Sequence, residues 1–143
     1  MGSSAIDVMY YICTTDSDLL ALIPKGNVHF AYVPESTPKP YAVIETVIAD
    51  NTASTICESY AGKPTIQVRS VHLYDEDDSN GANEEAEAYG RKLIEKYQFY
   101  RGTIDGVLVK MMRLTGVVVT PDLENPSQCN GVTTADIEYI ENW

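Results

Sequence analysis

The side chains best suited to chemistry in this sequence lie in an acidic run from Glu76 to Glu87. Aligned with a 12-residue calcium-binding loop, the run supplies the residues of positions 1, 3, 5, 6 and 12, namely Glu76, Asp78, Asn80, Gly81 and Glu87. Two features oppose a calcium site, because position 1 is glutamate instead of aspartate and Asn83 replaces the apolar residue that anchors such a loop. The alternative is a polar turn between a strand and a helix, whose acids favour the positive N-terminus of the helix. On that interpretation the chain has no metal site.

Other residues that commonly carry catalysis are isolated in this sequence. His29 and His72 each lack a second histidine three or four residues away, so neither forms a local zinc-binding pair. The motifs of serine hydrolases, P-loop proteins and dinucleotide-binding folds do not occur. Three widely spaced cysteines, Cys13, Cys57 and Cys129, predict free thiols instead of a disulfide framework. We therefore expect a protein that is not an enzyme and has neither catalytic residues nor a cofactor.

Composition predicts one folded domain with a strongly acidic surface. The chain has 143 residues, of which 44% are hydrophobic, enough to bury a core. A net charge of −11 repels phosphate, so we expect no sequence-specific nucleic-acid binding. No apolar run is long enough to cross a bilayer, and we expect no membrane partner and no signal peptide. We assign residues 5–143 to a single α+β domain and treat residues 1–4 as a tag remnant or a disordered N-terminus.

The clearest secondary-structure element in the sequence is an amphipathic helix predicted over 83–99, which could position the polar residues near it. Its apolar residues follow the 3.6-residue period along one stripe, namely Ala86, Tyr89, Gly90, Leu93, Ile94 and Tyr97. Acids crowd its first turns and bases lie toward its end, as the helix dipole favours. This stripe predicts a helix that covers a sheet.

Shorter patterns supply the remaining elements. Helices are predicted over 5–13 and 16–22. Strands are predicted over 28–30, 41–48, 65–74, 107–114 with a continuation through 117–119, and 132–140. The major elements follow the order α-β-β-α-β-β. We therefore predict an α+β fold with a mainly antiparallel four-stranded sheet and helices packed on one face.

Two long connections and ten tyrosines indicate where the protein could make contacts. Residues 49–64 and 121–131 are longer than ordinary connections in a compact domain, and such loops are often functional. Tyrosine is enriched at protein interfaces, although several of the ten could equally lie at the edge of the core with their hydroxyls in water. We predict subunit or tube contacts at Ile56, Tyr60 and Leu123. The alternative is that these side chains fold back onto their own domain.

The chain also resembles the tail terminator family of long-tailed bacteriophages, also called tail completion or tail-to-head joining proteins. The resemblance runs from about Ala5 to Glu141 and depends on the order and spacing of short motifs. These are the opening helix followed by Asp18-Leu19-Leu20-Ala21-Leu22-Ile23-Pro24, Pro38-Lys39-Pro40-Tyr41-Ala42-Val43-Ile44, Gln67-Val68-Arg69-Ser70-Val71, the Glu84–Tyr97 helix and Pro121-Asp122-Leu123-Glu124. The 49–64 connection and the acidic 75–87 segment have no counterpart in this pattern.

The resemblance implies a structural virion protein without enzymatic activity. Members of this family form a homo-oligomeric ring, typically a hexamer, on the end of the tail tube. The ring stops tube polymerisation and offers a joining surface to the head. The implied partners are copies of the same chain, the tail tube protein and the head–tail connector protein. The implied location is the head-proximal end of the tail, after assembly in the cytoplasm of the bacterial host.

Another class of function remains open from the sequence. A chain of net charge −11 could be a small acidic regulator that imitates DNA and binds a nucleic-acid enzyme. A mimic needs a surface row of acids, whereas the densest run here, Asp75 to Asp78, is short and falls in one turn. The hypothesis of a calcium-binding module depends on the 76–87 run alone. No motif in the sequence favours the hypothesis of an enzyme of unknown reaction.

Overall fold

The computed structural model describes residues 5–30, 32–34, 37–48, 54–56, 59–74 and 79–140. Its helices are α1 (Ala5–Thr15), α2 (Ser17–Leu22) and α3 (Ser79–Tyr97), with a 3-10 turn at Lys25–Asn27. Its strands are β1 (Val28–Phe30), β2 (Tyr41–Ile48), β3 (Ser54–Ile56), β4 (Ser59–Gly62), β5 (Thr65–Leu73), β6 (Gly102–Ile104), β7 (Val107–Leu114), β8 (Val118–Pro121) and β9 (Gln128–Ile140). No helix among the described residues is long and apolar enough to cross a membrane.

The nine strands that the structure describes form one mixed sheet around the long strand β9. β5 and β4 pair with one edge of β9, and β7 and β8 pair with the other edge. β2 and then β1 extend the sheet beyond β5, while β3 and β6 close hairpins with β4 and β7. β1 runs parallel to β2, and the other pairs are antiparallel. Apart from β8, which directly precedes β9, the strands that pair with the central strand are distant from it in the sequence.

β9 can occupy the centre because its side chains alternate between two faces from Cys129 onward. Ala135, Ile137 and Tyr139 are buried, whereas Asp136 and Glu138 point to the opposite face and are half-exposed. Buried residues of β2 and β5, such as Ile44 and Val68, join the same core. The face that carries the alternating apolar residues is therefore the one that the helices cover.

α3 lies close against β9 because small residues meet at the contact. A Cβ added to Gly131 would lie 2.8 Å from the carbonyl oxygen of Ala86. A Cβ added to Gly90 would overlap the side chains of Thr133 and Val117. Ala86, Tyr89 and Leu93 are each 1% exposed, which confirms that the predicted stripe faces the core.

The α+β class stands, but the predicted four-stranded, mainly antiparallel sheet is wrong. The sheet is mixed and larger, because β1, β3, β4, β6 and β8 each add three or four residues to it. β3, β4 and β6, which were not predicted, contain too few residues to show a periodicity, so their sequences resemble loops. Residues 49–64 are rich in polar side chains and were therefore predicted to be a loop, whereas β3 and β4 of this segment pair in a hairpin.

The boundaries of several predicted elements also differ from the structure. α1 extends two residues beyond 13, and α3 begins at Ser79 instead of 83 and ends at Tyr97 instead of 99. β9 begins at Gln128 instead of 132, within the segment predicted as a long loop. β8 is a separate strand after a break at 115–117, because β7 and β8 pair with successive parts of β9.

Candidate assembly surfaces

The acidic run that suggested a calcium loop is helical over most of its length. Asn80, Gly81 and Glu87 all lie within α3, so they follow a regular helix instead of wrapping around an ion. The first positions of the run, Glu76 and Asp78, lie outside the described residues. Within the part of the chain that the structure describes, no three His, Cys, Asp or Glu side chains cluster as metal ligands.

Among the described residues, the histidines and cysteines do not cluster as a common site either. His72 is 2% exposed on β5, and its Nδ1 lies 3.3 Å from Oε2 of Glu85 on α3. Burial lowers the pKa of His72, and the neighbouring Glu85 carboxylate partly opposes that shift. Cys13 is buried on α1, where desolvation raises the pKa of its thiol to about 12. A thiol with that pKa is a poor nucleophile near neutral pH.

Two of the predicted contact residues share one β-ribbon. Ile56 lies in β3 opposite Ser59, and Tyr60 lies in β4 opposite Thr55. This ribbon, residues 54–56 and 59–62, is attached by β4 to the Tyr139–Ile140 end of β9. The side chains of Ile56 and Tyr60 lie outside the described part of the structure, so their predicted contacts stay predictions.

Leu123, the third predicted contact residue, is 95% exposed in the connection between β8 and β9. The backbone around it is fixed by Asp122, whose Oδ1 accepts hydrogen bonds from the amides of Glu124 (3.0 Å) and Asn125 (3.3 Å). The side-chain amide of Gln128 donates to Oδ2 of Asp122 at 2.7 Å. That bond, with the backbone amides, holds the pKa of Asp122 below its usual value. We name residues 122–127 the Leu123 loop.

The structure does not bring the three predicted residues together. The Leu123 loop precedes Gln128 at one end of β9, while the ribbon joins β9 at Tyr139 and Ile140. At about 3.3 Å per residue, β9 separates these points by roughly 40 Å. Leu123 and the ribbon are therefore two surfaces at opposite ends of the sheet.

A groove that the sequence did not predict lies beside the same end of β9 as the ribbon. It has a volume of about 370 Å³ and is open to solvent. α1, the end of α3 and the β6–β7 hairpin line it with Tyr11, Ile12, Thr15, Tyr97, Tyr100, Thr103, Ile104 and Asp105. We name it the tyrosine groove. The Tyr97 hydroxyl donates to Oδ2 of Asp16 at 2.6 Å, which fixes one of its walls.

A recognisable signal for this groove was present in the sequence. Asp105-Gly106 is a two-residue hairpin signal, and both residues have positive φ, 51° and 78°. This turn joins β6 to β7 and places Thr103, Ile104 and Asp105 at the groove. The prediction began the strand at 107, so it omitted β6. Among the tyrosines, Tyr89 is fully buried in the core, which neither alternative described, and Tyr11 is 43% exposed.

Comparisons with known proteins give a structural match and no sequence match. No family model matches the chain. No curated protein matches it either. Among solved structures, a chain from the virion of a native gene transfer agent (GTA) particle aligns over 96% of this chain and 99% of its own length, with a TM-score of 0.65. The two chains share a fold. At 10% identity the likeness establishes the fold alone.

Proposed function

We propose that this protein is a structural component of a phage-like virion, and specifically a tail terminator. The observation that carries the proposal is the near full-length structural likeness to a chain of a gene transfer agent virion. The match covers 99% of that chain, so the likeness extends over a whole protein and not over one shared motif. The motif order from Ala5 to Glu141 supports the narrower assignment to the tail terminator family.

In the proposed role, copies of the chain form a ring, a hexamer by family resemblance, on the head-proximal end of the tail tube. The ring ends tube polymerisation and presents a surface to the head–tail connector. A closed ring requires two different surfaces on each subunit, so that one subunit meets the next head to tail. The Leu123 loop lies at one end of β9, and the ribbon and the tyrosine groove lie toward the other end, so each subunit offers different surfaces at its two ends for such a contact.

The charge of the molecule is compatible with this role. DNA that enters or leaves a head passes through the ring, so a wall that binds phosphate tightly would hinder it. A net charge of −11 disfavours such binding, because the acidic surface repels phosphate. The proposed role needs no bond-making step, and we assign no catalytic residue.

Mass measurement and electron microscopy test the proposal together. The purified protein is examined by analytical ultracentrifugation and imaged alone and after mixing with tail tubes from its cognate phage or gene transfer agent. We expect a closed ring whose mass is a multiple of 15.8 kDa, or rings on one end of the tubes. Tubes from an unrelated phage serve as the control for adhesion. A strictly monomeric protein that leaves cognate tubes undecorated would contradict the proposal.

A further inference from the structure

We propose that Leu123 of one subunit docks into the tyrosine groove of the next copy of this chain. The inference rests on the proposed ring, because it names the two surfaces that meet at each subunit contact. Leu123 and the groove lie toward opposite ends of β9, roughly 40 Å apart by strand length, so the loop cannot fill the groove of its own subunit. A contact between two different surfaces of identical chains is the kind that closes a ring.

The Leu123 loop has the properties of a preorganised binding element. The leucine is 95% exposed, which leaves an apolar side chain in water until a partner covers it. Asp122 fixes the loop through two backbone amides and the Gln128 side chain, so little conformational entropy remains to be lost on binding. An ordered apolar tip of this kind is suited to insertion into a recess.

The tyrosine groove has matching size and chemistry. A volume of about 370 Å³ holds more than one side chain, so it can receive Leu123 together with part of its flanking backbone. The rings of Tyr97 and Tyr100, with centroids 6.0 Å apart, offer apolar area, and the exposed Thr103 places a hydroxyl at the groove that can meet a backbone group. Tyrosine-lined recesses of this type are common at the energetic centres of interfaces.

Charge gives the contact an orientation. Glu124 directly follows Leu123, and the exposed Arg101 directly follows Tyr100 of the groove. An opposite-charge pair at the edge of an interface selects register and promotes encounter. Asp105 also lines the groove, so the favoured orientation directs Glu124 toward Arg101 and away from the hairpin tip.

Phe99, two residues after the end of α3, supports the assignment of this end of the molecule to binding. Its side chain is 64% exposed, and its φ of 61° lies in the left-handed region that disfavours a bulky residue. Glycine or asparagine would occupy the position with less strain. An exposed aromatic side chain beside Tyr100 is accounted for if a partner covers it.

A charge-reversal cycle tests the contact. Self-association is measured by analytical ultracentrifugation for wild type, Leu123→Ala, Glu124→Arg, Arg101→Glu and the double variant Arg101→Glu/Glu124→Arg. We expect Leu123→Ala and each single reversal to weaken association at least fivefold, and the double reversal to recover most of that loss. Glu84→Arg, on an exposed turn of α3, makes the same charge change outside the Leu123 loop and outside the groove lining and should not weaken association.

Cross-linking extends the test to rings that form only on tubes. Chains carrying Leu123→Cys are mixed with chains carrying Thr103→Cys, added to tail tubes and treated with a short thiol cross-linker. We expect a cross-linked dimer from the mixture, and none when Glu84→Cys replaces Leu123→Cys. Circular dichroism verifies that each variant is folded.

The outcomes separate this inference from the proposed function. Rings without the Leu123–Thr103 cross-link, or a double reversal no stronger than the single reversals, would refute the docking and leave the ring proposal intact. Loss of tube decoration by Leu123→Ala with unchanged self-association would assign Leu123 to the tube and also refute the docking. Failure of the wild type both to self-associate and to decorate tubes would refute the proposed function itself.

Discussion

Asp16 shows how one carboxylate can join three segments of this fold. Its Oδ1 accepts the backbone amides of Asp18 (2.9 Å) and Leu19 (3.3 Å), which caps α2. Its Oδ2 accepts from the Tyr97 hydroxyl at 2.6 Å and lies 2.9 Å from Nζ of Lys96. Burial alone would raise the pKa of Asp16, but the hydrogen bonds from Tyr97, Lys96 and the backbone outweigh it and leave the pKa lowered.

Replacement of Asp16 by alanine should lower the free energy of unfolding by about 1–3 kcal/mol near neutral pH, because it removes a cap and leaves the Tyr97 hydroxyl without its acceptor. Since the folded-state pKa is depressed, this contribution is complete above the unfolded value of about 3.9 and is lost as pH falls through the folded pKa. Urea unfolding from pH 7 to pH 3 measures it.

Asp18→Ala is the matched control, because Asp18 also contacts Lys96 but its side chain is 54% exposed. We expect it to cost less than about 0.5 kcal/mol, as exposed ion pairs do. Equal losses for the two variants, or a loss for Asp16→Ala that persists unchanged at pH 3, would contradict the role assigned to Asp16.

The capping role of Asp16 was predictable, whereas its other contacts were not. The run Thr14-Thr15-Asp16-Ser17-Asp18 offers N-cap side chains directly before a short apolar segment, and this is a local signal. Lys96 and Tyr97 lie 80 residues or more away along the chain, and only the packing of α3 over α2 brings them to Asp16. Local patterns therefore locate a cap but not the tertiary contacts that it completes.

At the scale of elements, the packing of α3 on β9 depends on the absence of a side chain at Gly90. Alanine is the better helix former by about 1 kcal/mol, so an exposed Gly→Ala change would stabilise the helix. At Gly90 the added methyl group would overlap Thr133, which is 2% exposed, and Val117. Overpacking of this kind costs about 1–3 kcal/mol, and we expect Gly90→Ala to lower the melting temperature.

Gly116→Ala is the control for Gly90→Ala. A Cβ at Gly116 meets nothing within 4 Å, and the backbone there does not require positive φ. We expect this variant to be neutral or slightly more stable, because alanine restricts the unfolded chain. A rise in melting temperature for Gly90→Ala would show that α3 does not lie as close to β9 as described.

Elements with a strong periodicity were predictable, and those defined by distant pairing were not. The stripe through Leu93 and the alternation of Ala135, Ile137 and Tyr139 located α3 and most of β9. The strands β3 and β4 of the ribbon and the strand β6 form through hairpins attached to longer strands, and their few residues carry no period of their own. The groove was missed for the same reason, since it requires β6, α1 and the end of α3 to meet.

At the scale of the whole molecule, net charge and local charge distribution act together. The helices cover one face of the sheet, and the opposite face carries both acidic and basic side chains. On that face Arg69 lies 3.5 Å from Glu45, and Lys110 lies 3.6 Å from Glu138. Arg113 stands opposite Asp136 in the pairing of β7 with β9. Bases on this face are therefore placed beside acids, which weakens their attraction for phosphate.

This arrangement predicts that duplex DNA is not retained by the protein at about 150 mM salt. Binding requires cations that displace counterions from phosphate, and a chain of net charge −11 with paired bases gains little from that release.

The double variant Asp136→Asn/Glu138→Gln removes the acids beside Arg113 and Lys110. It should bind DNA measurably more tightly at about 20 mM salt, where screening is weak. Electrophoretic mobility shift at both salt concentrations measures this, with Glu84→Gln/Glu124→Gln as a control of equal charge change. Retention by the wild type at about 150 mM salt would reveal an effective basic surface and contradict the inert wall that the proposed ring requires.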